Sequence, residues 1–252
     1  MSASQDQGLR PEPFPPIDAA AAAALAGAFA AVRERIDGAT RRSGRAPGSV
    51  RLLAVTKTFG PGVVAAAAAL GQRAFGENYV QEALEKMEAL RPDPRSADLE
   101  WHFIGPIQSN KTRRIAERFA WVQSLDREAI ARRLSEQRPP GLAPLQVLLE
   151  VNISAEQSKS GVPPEALPLL AERVADLPGL RLRGLMAIPQ PGLAPGELQR
   201  AFARMHALLE VLQRQEPGAD TLSMGMSGDF ETAIAEGATM VRVGSALFGE
   251  RK

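Results

Sequence analysis

Eight short apolar runs, the first seven each followed by a helical pattern, constrain this chain more than any other feature. The runs are Leu52 to Val55, Arg73 to Gly76, Trp101 to Ile104, Trp121 to Ser124, Gln146 to Ile153, Leu182 to Ile188, Thr221 to Met224 and Met240 to Val243. Each has the length of a buried strand, and turn-forming residues punctuate the chain around them. Between them the spacing predicts helices over Val63 to Leu70, Tyr79 to Leu90, Gln108 to Phe119, Asp126 to about Gln137, Pro164 to Leu177, Glu197 to Gln215 and Asp229 to Ala235. This alternation over 252 residues predicts an α/β fold, a single parallel (β/α)8 TIM barrel. A doubly wound open sheet shares the alternation but needs no eighth unit.

Only Gly244 to Lys252 follow the eighth run, too few residues for a full closing helix. An earlier helix, capped by Asp18 and carrying Leu25, Phe29, Val32 and Ile36 on one stripe, is therefore expected on the wall beside strand eight. Residues 1–16 are polar and proline-rich and read as a disordered tail. Residues 17–252 are then the barrel, with no second domain.

The formal net charge is +1 and no basic run is interleaved with aromatics, which argues against nucleic acid as a partner. The chain has no cysteine, and its two histidines, His102 and His206, lie far apart, so no metal site is expected. The alanine-rich run Ala19 to Val32 follows Asp18 and several prolines and passes straight into Arg33-Glu34-Arg35. It suits neither a signal peptide nor a membrane span, and the expected location is the cytoplasm.

In barrels of this kind the chemistry gathers at the C-terminal ends of the strands. The first run ends in Thr56-Lys57-Thr58-Phe59-Gly60-Pro61, which puts Lys57 where a buried strand stops. A desolvated ammonium is relieved by a pKa below its ordinary value of about 10.4, and the neutral amine attacks aldehydes and ketones. The plainer alternative is a lysine whose stem packs while its head reaches water.

After the seventh run, Gly225-Met226-Ser227-Gly228 opens a helix, and Val243-Gly244-Ser245-Ala246 leaves the eighth in the same style. Barrels commonly hold phosphate on these two loops, although each glycine serves equally well in a tight turn without a ligand. Arg242 points either into the barrel mouth or outward, where Glu77 or Asp229 could pair with it. A guanidinium only donates hydrogen bonds, so opposite a heteroaromatic nitrogen it would leave that nitrogen unprotonated. An amine on strand one, a phosphate cup on strands seven and eight, and an arginine between them match pyridoxal phosphate.

The segments LLAVTKTFG, FGENYVQE, WHFIGPIQSNK, LEVNISAEQSKSG, RGLMAIP, LSMGMSGDFETAI and VRVGSALFG occur in this order from Leu52 to Gly249. Together they resemble the pyridoxal phosphate homeostasis protein family, single-domain barrels similar to the N-terminal domain of bacterial alanine racemases. The resemblance implies pyridoxal 5'-phosphate as cofactor, held as a Schiff base on Lys57. It implies Ser227 with the backbone of Gly244 and Ser245 on the phosphate, Arg242 by the ring nitrogen or phosphate, and Asn78 and Met224 lining the ring.

Storage and delivery of the cofactor by a monomer without turnover is the implied function, with apo forms of pyridoxal phosphate enzymes as recipients. The alternative is a racemase-like enzyme, in which a tyrosine from an additional C-terminal domain supplies the second acid/base. The single tyrosine here, Tyr79, reads instead as packing on the helix after strand two. His102 reads as a satisfied core residue, and Gln108 and Asn110 as solvated loop residues. Lys111 and Lys159 reach the same rim, and Lys159 could take the cofactor over from Lys57.

Overall fold

A computed structural model describes residues 14–154 and 160–249. Eight parallel strands close into a barrel in sequence order: β1 (Arg51–Val55), β2 (Ala74–Glu77), β3 (Glu100–Phe103), β4 (Trp121–Leu125), β5 (Leu145–Glu150), β6 (Leu180–Met186), β7 (Thr221–Ser223) and β8 (Met240–Val243). Closure runs through β1 and β8, with Leu53 opposite Arg242 and Ala54 opposite Val243. The helices that cover the sheet are α1 (Ala19–Arg42), α2 (Pro61–Ala69), α3 (Val80–Leu90), α4 (Thr112–Arg118), α5 (Glu128–Glu136), α6 (Leu167–Ala175), α7 (Pro195–Gln215), α8 (Phe230–Ala235) and the single turn α9 (Ser245–Phe248).

The strand alternation sorts the side chains into two layers. Ala54, Phe75, Phe103, Val122, Leu149, Leu185, Leu222 and Val241 face the helices and belong to the main core. The opposite faces fill the barrel with two small apolar clusters, Leu53, Ala74 and Met240 in one, Trp121, Leu148 and Met186 in the other.

Helix α1 closes the wall as its stripe requires. The Asp18 carboxylate caps it by accepting from the Ala21 N–H at 2.7 Å, and Leu25, Phe29, Val32 and Ile36 are buried. Arg35 meets Glu231 at 3.3 Å and lies over the Phe230 ring, while Arg45 donates to the carbonyls of Ile234 and Ala238. The helix therefore sits against α8 and α9, beside β8.

Several bounds differ from the sequence expectation. The apolar run through Ile153 leaves the ladder at Glu150, because Val151 instead bridges to Val162 on the returning loop. The patterns starting at Gln108 and Pro164 open with 3-10 turns, Ser109–Lys111 and Pro164–Ala166, before α4 and α6. Tyr79 is a correction: it precedes α3, is 55% exposed and does not pack, because Val80 begins the buried face of that helix. Most of the tail expected to be disordered, and Lys159, lie outside the described residues. Of that tail Phe14 is described, and it packs with Ile17 against the core.

Candidate functional site

A cavity of about 540 Å³ opens at the C-terminal ends of the strands. Lys57, Asn78, Ser227, Arg242, Gly244 and Ser245 all line it, together with Val55, Phe59, Ile104 and Met226. Met224 does not. It shares the outward face of its strand with Leu222 and is fully buried in the main core, so Met226, two residues on, takes the place expected for it.

The segment around Lys57 is held from both sides by a buried charged cluster. Lys86 on α3 is only 3% exposed, and its ammonium donates to the Thr56 carbonyl at 2.7 Å, to Glu77 Oε1 at 2.8 Å and to Glu82 Oε1 at 2.6 Å. The Thr56 hydroxyl donates to the same Glu77 oxygen at 2.7 Å, and the Thr58 N–H donates to Glu82. Thr58 has φ 72°, a left-handed conformation that disfavours β-branched residues and persists only where the surroundings impose it. Burial pushes the Glu77 carboxyl up in pKa, and Lys86 is the main opposing influence. The residues before and after Lys57 are thus fixed by one cluster, which sets the backbone of Lys57 at the cavity wall.

Beside this segment, across the seam between β1 and β8, stand the two loops that follow β7 and β8. Gly225 has φ 91°, and a Cβ there would come within 2.6 Å of Ala233, so the turn after β7 requires glycine. Ser227 Oγ accepts from the Ala246 N–H at 3.2 Å, which ties this loop to the one after β8 and leaves the hydroxyl hydrogen to donate elsewhere. The N–H groups of Ser227, Gly228 and Ser245 donate to no described residue. At the end of β2, on the other side of β1 from these loops, the buried Asn78 Oδ1 also lacks a partner among the described residues. Asn78 is held in place by Gly105, where a Cβ would meet the Asn78 carbonyl oxygen at 2.3 Å. Unused N–H donors on two loops of one cavity suit an anionic ligand.

Arg242 points inward. Its Nη1 donates to the Ser223 carbonyl and hydroxyl, both at 2.8 Å, and its Nη2 donates to the Ala187 carbonyl at 2.9 Å. Neither Glu77 nor Asp229 bonds to it: Glu77 is taken by Lys86, and Asp229 accepts from the Met226 N–H. Burial lowers the guanidinium to about 10, against the opposing charges of Asp229 and Glu150.

Glu150, at the end of β5 and on the inward face with Leu148, escaped the sequence reading. Burial raises its pKa to about 7, Asp126 adds to the shift and Arg242 opposes it. It does not line the cavity. His102 is fully buried inside the barrel with partners on both ring nitrogens. Gln108 and Asn110 are exposed, and neither they nor Lys111 line the cavity. Among the described residues no cluster of side chains suits a metal ion, and no helix is long and apolar enough to cross a membrane.

A closed parallel barrel with a lysine at the end of strand one, sharing its cavity with the loops after strands seven and eight, defines a structural class. Residues 29–252 match the family described as alanine racemase, N-terminal domain. The chain belongs to this family and, within it, to the pyridoxal phosphate homeostasis proteins. The protein of that name from Pseudomonas aeruginosa is 59% identical over 223 residues, covering 88% of this chain and 94% of its own length. Among solved structures, PipY of Synechococcus elongatus with pyridoxal phosphate bound is 38% identical, covers 89% of this chain and all of its own, and superposes with a TM-score of 0.75. An unknown protein from Bifidobacterium adolescentis gives a TM-score of 0.88 at 34% identity, over 95% of this chain and all of its own.

Proposed function

We propose that this chain binds pyridoxal 5'-phosphate on Lys57 and serves to store and hand on the cofactor rather than to turn over substrate. The observation that carries the reading is one cavity lined both by Lys57 and by Ser227, Gly228 and Ser245, whose N–H groups donate to no described residue. The names of the relatives and the bound ligand of PipY point the same way. The cofactor supplies an aldehyde that a lysine amine captures as a Schiff base. Ser227 and the loop N–H groups would hold the phosphate, and Asn78 and Arg242 would line the ring, Arg242 offering donors to its nitrogen.

The side chains support holding more than catalysis. Among the described residues lining the cavity, the titratable ones are Lys57 and Arg242. An arginine that only donates keeps a ring nitrogen unprotonated, which weakens the electron sink most amino-acid chemistry requires. Racemisation needs an acid/base on each face, and Lys57 serves one. The recipients of the cofactor would be apo forms of enzymes that use it.

Incubating the loaded protein with each common amino acid, while following chirality, carbon dioxide and keto acids, tests the reading. No turnover is expected, alongside activation of an apo-enzyme by the same preparation. Turnover on the order of one per second or faster would assign a racemase-like or related enzyme instead.

Ser227→Ala removes one hydrogen bond to a dianion, worth about 1.5–3 kcal/mol. Affinity for pyridoxal 5'-phosphate should fall by about tenfold or more, with little change in melting temperature, because the side chain makes only the 3.2 Å contact to Ala246. Unchanged affinity in a spectrophotometric titration would show that the phosphate sits elsewhere.

A further inference from the structure

A chain of hydrogen bonds runs down the inside of the barrel from the cavity to its far end. Arg242 Nη1 bonds to Ser223 Oγ at 2.8 Å, Ser223 Oγ to Gln123 Oε1 at 2.7 Å, Gln123 Nε2 to His102 Nδ1 at 2.9 Å, and His102 Nε2 to Glu100 Oε1 at 2.7 Å. Glu100 then meets Arg51 at 2.5 Å. Between its ends every member is buried: Ser223, Gln123 and His102 are each 0% exposed. His102 is further clamped by stacking on Trp121, with ring centroids 5.1 Å apart and planes 8° apart.

The polarity of this chain is forced. A guanidinium only donates, so Ser223 must accept from Arg242 and give its one hydrogen to the Gln123 carbonyl oxygen. The Gln123 amide nitrogen then faces His102 Nδ1, which must accept, and the imidazole is the Nε2–H tautomer donating to the Glu100 carboxylate. Burial favours the neutral imidazole, and His102 and Arg51 hold Glu100 ionised, its pKa lowered to about 2. Reversing the amide would need an imidazolium in the barrel interior, so one direction is selected along the whole chain.

We propose that Glu100, His102, Gln123 and Ser223 are positioning residues for Arg242, a relay that fixes the guanidinium with its remaining donors turned to the cofactor ring. Arg242 has five N–H groups, and its bonds to Ser223 and Ala187 engage only part of that set. A guanidinium in this place without the relay would retain its backbone contacts and lose the side-chain anchor that sets its plane. The assignment of the ring as the target rests on the cofactor reading above; the fixing of Arg242 does not.

Side-chain ¹⁵N NMR of the protein without cofactor tests the relay directly. His102 should show an unprotonated Nδ1 and a protonated Nε2 from pH 6 to 8, and the Arg242 Nη groups should rotate slowly. Gln123→Met and Ser223→Ala, each checked for folding by circular dichroism, should release that rotation. Loading with pyridoxal 5'-phosphate labelled at the ring nitrogen gives the second readout. The nitrogen should be unprotonated in the parent protein and should gain a proton in part of the same pH range in both variants, with release of cofactor about tenfold faster, a loss of about 1.4 kcal/mol. A hydrogen on His102 Nδ1, or Arg242 rotation unchanged in both variants, would overturn the relay. Failure of the parent protein to take up pyridoxal 5'-phosphate would overturn the cofactor reading and leave the Arg242 measurement to decide the relay alone.

Discussion

Lys86→Met should destabilise the fold by about 3–5 kcal/mol, the usual consequence of removing one partner from a buried ion pair. Lys86 is the sole cation bonded to Glu77 among the described residues, and Glu77 is fully buried with one carboxylate oxygen already lacking a partner. Without the ammonium, desolvation of Glu77 is opposed chiefly by the Thr56 hydroxyl, and the Thr56 carbonyl and Glu82 lose the bonds that shape the segment around Lys57. Cofactor affinity should fall together with stability, since the left-handed Thr58 would have little to hold it. Adding Glu77→Gln should recover much of the loss, because a neutral amide needs no counter-charge. Chemical denaturation of the single and double variants measures this, and equal stability in parent and Lys86→Met would mean that the cluster is not structural.

Arg242→Ala is the second large effect, and two opposing contributions decide its size. The variant strips three hydrogen bonds from the buried Ser223 and Ala187 acceptors; the Ser223 carbonyl keeps the Ala187 N–H and its hydroxyl keeps Gln123, so the main cost, about 1–3 kcal/mol, falls on the Ala187 carbonyl. Against this, it relieves the desolvation that lowers the guanidinium pKa. A net loss of about 2–4 kcal/mol is expected, with affinity for pyridoxal 5'-phosphate reduced by about tenfold or more as the ring loses its donor. Glu150 provides an independent check. Its folded pKa of about 7 lies above the ordinary 4.5, so the native state binds more protons between these values, and stability falls as pH rises through that window. Arg242 is the charge that lowers it, so in Arg242→Ala the fall should continue to pH above 7. A melting temperature with the same pH profile in both proteins would contradict the electrostatic link.

The barrel was legible because the strands are short and mainly buried, most with an apolar core, and an all-parallel sheet covered by helices favours that pattern. The helix at Asp18 was legible from its cap and from the single apolar stripe of Leu25, Phe29, Val32 and Ile36. Most of the cavity lining was legible for a related reason: in a barrel, strand ends converge, so Lys57, Asn78, Ser227, Arg242, Gly244 and Ser245 could be grouped from sequence position alone. Met224 went astray on side-chain direction, and the period of two that puts it on the same face as Leu222 was available to correct it. That period also brings His102, Gln123, Ser223 and Arg242 onto the inner face, where polar residues in buried strands mark an internal hydrogen-bond chain. Lys86 and Glu150 carried no comparable signal. In sequence Lys86 is one more charge on a helix rich in glutamates, and only tertiary structure brings Glu77 and the Thr56 carbonyl to it.

Borohydride reduction of the protein loaded with pyridoxal 5'-phosphate, followed by peptide mapping of the adduct, tests the central claim most directly. The account predicts a yellow protein whose reduced adduct lies on Lys57. An adduct on Lys111 or Lys159 in fresh protein, or no adduct at all, would contradict it.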